Sequence, residues 1–68
     1  MNKLLFKSAM VEHDDTQLTL ANALGISLSR CNAKINERNN AAFTQSEIAF
    51  IINRYHLTND RAMEIFFT

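Results

Sequence analysis

The stretch Thr16-Gln17-Leu18-Thr19-Leu20-Ala21-Asn22-Ala23-Leu24-Gly25-Ile26-Ser27-Leu28-Ser29-Arg30-Cys31-Asn32-Ala33-Lys34-Ile35-Asn36 decides how this chain folds. Thr16 is a helix N-cap type, because its hydroxyl can accept from an amide of the following turn. Leu18, Ala21 and Leu24 follow at spacings of three, the inward side of a short helix. Gly25, the only glycine in the chain, stands where that helix needs a left-handed residue to stop. Ile26 alone separates it from Ser27, a second N-cap. Cys31 and Ile35 then lie one turn apart on a helix expected to end near Asn36.

Outward from this stretch the same signals recur. Leu4, Leu5, Phe6, Met10 and Val11 predict a first helix over about 2–12, followed by the acidic loop Glu12-His13-Asp14-Asp15. Residues 37–42 read as a polar loop. Asn39 or Asn40 is expected to take a left-handed conformation there, which Asn tolerates better than most residues. Thr44-Gln45-Ser46-Glu47 is a capping box. Behind it Ile48, Ile51, Ile52 and Tyr55 repeat at i, i+3, i+4, i+7, an amphipathic helix. Leu57 is expected to plug the core. Thr58 caps a last helix carrying Ala62, Met63, Ile65, Phe66 and Phe67, with Asp60 favoured in its first turn by the helix dipole. With no Pro and one Gly, the composition favours helices over turn-rich sheet. The expectation is a single all-α domain over 1–68, a bundle of about five short helices.

Composition excludes several classes. The 47% hydrophobic content is too high for a disordered chain. Seven Lys and Arg balance seven Asp and Glu, so neither an acidic tail nor a polybasic membrane anchor is present. The balance is uneven along the chain: residues 1–10 carry +2, 11–25 carry −3, 26–43 carry +2 and 44–68 carry −1. One cysteine allows no internal disulfide, which points to a reducing cytoplasm, and Cys31 is read as a small core thiol. No apolar run approaches a membrane span of ~20 residues, and Lys7 interrupts the N-terminal apolar segment before a signal peptide could form. His13, His56 and Cys31 lack metal-ligand spacing, and the acidic loop lacks the calcium-loop pattern. No Gly-rich phosphate loop and no Ser/His/Asp grouping appears. No metal, cofactor, small-molecule substrate or enzymatic activity is expected.

Two short helices joined by a Gly-containing turn form the helix-turn-helix pattern, in which the second helix enters the DNA major groove. Thr16-Gln17, Leu20-Ala21, Leu24-Gly25-Ile26-Ser27 and Lys34-Ile35-Asn36 resemble the Cro/repressor-type regulators of phages and bacteria, a lambda-repressor-like fold. The match covers the central third, and the five-helix layout extends it over most of the chain. The resemblance implies a small phage-type transcriptional regulator in a bacterial cytoplasm, binding double-stranded operator DNA as a homodimer. It also implies a backbone contact for Gln17. Where many relatives pair an Arg of the first helix with a Glu of the third, this chain has Met10 and Ile35.

If Cys31 and Ile35 face inward, Ser29, Ala33 and Asn36 face outward, flanked by Arg30 and Asn32, with Ser27 and Leu28 at the helix start. Asn can pair with adenine, Arg with guanine, and Leu or Ala can meet a thymine methyl. Arg30, Lys34 and Arg38, spaced by four, are expected to form a basic ridge contacting phosphates. Phe66 and Phe67 are adjacent on one helix, so both rarely face one small core, and they are candidates for a protein interface. A second reading stays open on the same residues: an antirepressor or modulator that controls a lysis-lysogeny switch by binding a partner repressor protein.

Overall fold

A computed structural model describes residues 1–67. It contains α1 (Lys3–Glu12), α2 (Gln17–Leu24), α3 (Leu28–Asn36), a single 3-10 turn (Arg38–Asn40), α4 (Gln45–Arg54) and α5 (Asn59–Phe66), with no strand among the described residues.

Side-chain caps set the helix starts. Thr16, Ser27, Thr44 and Thr58 each accept from the amide three residues on, Thr19, Arg30, Glu47 and Arg61. Each such cap contributes about 1 kcal/mol. Thr44 and Glu47 form the expected reciprocal box. Thr16 forms a second one, in which Thr19 Oγ1 accepts from the Thr16 amide at 2.9 Å. Asn2 caps α1 by accepting from Leu5 N.

The α2–α3 connection is set by Gly25, at φ 74°. Its amide donates to Asn22 O, and the Ile26 amide reaches back to Ala21 O. This paired return satisfies the last carbonyls of α2 and turns the chain within three residues into α3. The end of α3 has no glycine. Glu37, Asn39 and Asn40 all adopt positive φ. The left-handed position that closes the helix therefore falls on Glu37, with both asparagines following suit.

The core gathers Phe6, Ala9 and Met10 from α1, Leu20 and Ala21 from α2, Cys31 and Ile35 from α3, Ile51 and Tyr55 from α4, and Ile65 from α5. Met10 and Ile35 are both in it, so an apolar pair occupies the interior. Phe43, in the segment before α4, adds a ring 5.6 Å from that of Phe6. Leu57 packs against this core, as do Ile48, Leu24 and Ile26. Leu18 does not: it is exposed, and Leu20 and Ala21 face inward instead. Spacings of three from Leu24 selected the wrong leucine, because the inward arc of α2 is centred on Leu20-Ala21. α1 and α5 run antiparallel, tied by Asn2 N to Ile65 O (2.7 Å) at one end and Arg61 to Glu12 (2.8 Å) at the other.

Candidate nucleic-acid interface

The first residue of α2 and the outer face of α3 enclose an open groove. Gln17, Leu28, Ser29, Asn32, Ala33 and Arg38 line it, together with Asn39. Six of the ten residues expected to contact DNA therefore share one concavity. The groove exists because the short turn after Gly25 brings the start of α3 back across α2. Asn32 Nδ2 then donates to Gln17 Oε1 at 2.8 Å and links the two helices. Leu28 is 47% exposed there, an apolar side chain with no packing reason to face solvent.

The other four expected residues have different placements. Arg30 is exposed beside the groove. Ser27 is exposed, but its hydroxyl accepts from the Arg30 amide as the cap of α3. Asn36 lies behind Asn32 and donates to its carbonyl and its side-chain oxygen. Lys34 is turned inward, with a residue exposure of 5%, and its Nζ lies 2.7 Å from Glu47 Oε1. The expected Arg30-Lys34-Arg38 ridge does not form. A spacing of four keeps Arg30 and Lys34 on one side of α3, but that side passes over the start of α4, where Glu47 draws the ammonium in. Glu37 then ends the helix in a left-handed conformation, so Arg38 leaves the register altogether.

Glu47 also accepts from Thr44 N at 2.8 Å. Burial pushes its carboxyl upward, but Lys34 and the Thr44 amide outweigh this and hold it below the usual range. The Cys31 thiol is fully buried, and burial, followed by the charges of Glu47 and Asp15, pushes it up. It is a core side chain and no nucleophile.

A second polar cluster, on Asp15, has no signal in local spacing. Its side chain is only 4% exposed. Arg54 donates to both of its oxygens, Nε at 2.9 Å and Nη2 at 3.0 Å, and the hydroxyls of Tyr55 and Thr19 donate as well. The Arg54 guanidinium holds the carboxyl far below the usual carboxylate range against the opposing effect of burial. His13 stacks on Tyr55, ring centroids 4.9 Å apart, and its Nδ1 donates to Ala9 O. This cluster ties the α1–α2 connection to the end of α4 and so fixes where α2 begins.

The cations divide into two sets. Lys34, Arg54 and Arg61 are engaged by Glu47, Asp15 and Glu12. Among the described residues, Lys3, Lys7, Arg30 and Arg38 are exposed and have no acidic partner within salt-bridge distance. The Met1 amino group lies 3.5 Å from Glu37, which brings the start of α1, with Lys3, to the Arg38 end of α3. No group of His, Cys, Asp and Glu among the described residues could hold a metal ion, and no described helix is long and apolar enough to cross a membrane. Phe66 packs edge-on against Phe6 at 6.0 Å, so its ring belongs to the protein's own packing. Phe67 is 52% exposed.

No protein-family model, no curated protein and no solved structure matches this chain.

Proposed function

We propose that α2, the Gly25-Ile26-Ser27 turn and α3 act as a helix-turn-helix, and that the chain is a small transcriptional regulator of the Cro/repressor type, working on operator DNA in a bacterial cytoplasm. The observation that carries this reading is the groove joining Gln17 to the outer face of α3, with exposed Arg38 in its lining. A helix start suits phosphate. The exposed Leu28 and half-buried Ala33 suit base methyl groups, and unpaired guanidinium groups suit the backbone or guanine. As a homodimer, the protein would place two copies of α3 in successive major grooves about 34 Å apart on a palindromic site. Selection from a random duplex pool at low salt tests this. Enrichment of a site with two inverted half-sites about 10 base pairs apart is expected; recovery of no preferred sequence would overturn it.

A second reading is favoured by one observation. Met63 on α5 and Phe67, just past its end and one turn on, are 57% and 52% exposed, and neighbouring apolar side chains that together form a patch in solvent mark a contact surface. They support the antirepressor alternative, in which a partner repressor protein covers this side. Mixing the chain with a Cro/repressor-type protein from the same genome separates the two: a stable heterocomplex without DNA binding by the lone chain selects the second reading.

A further inference from the structure

α1 and α5 carry apolar side chains on their outer sides. α1 packs inward through Phe6, Ala9 and Met10, and α5 through Ala62 and Ile65. Leu4 and Val11 stand two turns apart along the opposite side of α1. At 82% and 75% they are the most exposed large apolar side chains among the described residues. Met63 and Phe67 continue the pattern on the outer side of α5. A single exposed leucine is ordinary on a surface, but apolar side chains gathered on two adjoining helices mark a contact. The charges beside them have opposite signs on the two helices. Lys7 lies between Leu4 and Val11, and Lys3 lies one turn before Lys7. Asp60 stands one turn before Met63, and Glu64 one turn before Phe67. All four charged side chains are exposed.

We propose that a second copy of this chain docks here, with α1 of each copy against α5 of the other. α1 and α5 are antiparallel neighbours, tied by Asn2 N to Ile65 O and by Arg61 to Glu12. A two-fold axis along the pair therefore makes both α1–α5 contacts at once. Leu4 and Val11 meet Met63 and Phe67, and Lys3 and Lys7 lie opposite Asp60 and Glu64. This match of charge selects a second copy over an unlike partner. A contact of this kind is self-complementary, so it closes as a dimer and does not grow into a filament. No residue of α1 or α5 lines the groove at Gln17 and α3, so both grooves stay open. The proposal rests on the homodimer of the DNA-binding reading and gives it a surface, but this dimer forms without DNA.

The test is analytical ultracentrifugation of the full chain without DNA, over a concentration series. It compares the wild type with Leu4→Ser/Val11→Ser, Lys3→Glu/Lys7→Glu and Asp60→Lys/Glu64→Lys. All the altered side chains are exposed, and thermal melts confirm that each variant is folded. The wild type is expected to dimerise. Leu4→Ser/Val11→Ser should weaken the dimer about tenfold or more, because the contact buries these side chains twice. Each charge variant alone should also self-associate about tenfold more weakly, since like charges then face each other. An equimolar mixture of the two charge variants should regain the wild-type affinity, because every crossed contact in the mixed dimer again joins opposite charges. A wild type that stays monomeric at millimolar concentration would overturn the proposal. So would a dimer indifferent to Leu4→Ser/Val11→Ser, a mixture no tighter than its components, or a monomer that uses these residues only in a heterocomplex with a Cro/repressor-type protein. If the dimer forms as described and selection from duplex DNA recovers no site, the DNA-binding reading falls and the dimer stands.

Discussion

Removing Lys34 leaves Glu47, only 14% exposed, as a carboxylate beneath α3 with no cation. Lys34→Ala is expected to cost about 2 to 3 kcal/mol of stability in urea unfolding, because an unpaired buried charge is far more expensive than a missing pair. Lys34→Met combined with Glu47→Gln should recover most of that loss, since Gln keeps the acceptor for the Thr44 amide. Asp15 gives a prediction of different form. Its carboxyl is held low in the folded state, against an ordinary value near 4 in the unfolded chain. Its stabilising contribution is therefore fully present above that ordinary value and is lost as pH falls toward the folded one. Stability should drop between about pH 5 and pH 2, and Asp15→Asn should lower stability at pH 7 by about 2 kcal/mol while flattening this acid limb. An unchanged acid limb in Asp15→Asn would contradict the account. Neither role was legible locally. Glu47 lies 13 residues from Lys34, and Arg54 and Tyr55 lie 39 and 40 from Asp15. Helical spacing says which side chains share a face, and only the packing of α4 against the α2–α3 pair says which of those faces meets a partner.

The starts and stops of the helices were the most readable part of the chain, because a cap is satisfied within three or four residues of itself. Thr16, Ser27, Thr44 and Thr58 cap as their positions imply. Gly25 stops α2, and an added Cβ would meet nothing within 4 Å, so its requirement is conformational and not steric. Gly25→Ala should therefore destabilise by about 1 kcal/mol, the left-handed cost for a residue with a side chain. That is a fall of about 4 to 8 °C in Tm for a domain this small, and Gly25→Asn should cost less. The face of α3 was readable in part: Lys34, expected on an exposed ridge, is buried against Glu47, and Asn36 lies outside the groove. Burial of Cys31 and Ile35 placed Leu28, Ser29, Asn32 and Ala33 in the groove. Two features escaped because they break periodicity. Phe43 belongs to no helix, yet it enters the core against Phe6, and Glu37 takes the left-handed position that glycine would usually fill.

A formal net charge of zero resolves, in the folded molecule, into internal pairs and an unpaired remainder. Lys34, Arg54 and Arg61 stabilise the fold through their carboxylates, and Arg30, Arg38, Lys3 and Lys7 carry exposed positive charge. Affinity for duplex DNA should thus be modest and set by few phosphate contacts, with a shallow dependence on salt. A chain this short buries on folding only about 60% of the surface its unfolded form exposes, and contacts such as the Asp15 cluster hold α2 and α3 in the geometry the groove needs. The most direct measurement is fluorescence anisotropy of the folded chain on its selected duplex across a salt series, for the wild type, Arg38→Ala and the Lys34→Met/Glu47→Gln variant. The wild type should weaken linearly on a log–log plot. Arg38→Ala should bind more weakly with the slope reduced by about one, and the Lys34→Met/Glu47→Gln variant should keep the wild-type slope. Absence of binding by the wild type at low salt, or a slope that Arg38→Ala leaves unchanged and Lys34→Met/Glu47→Gln reduces, would contradict it.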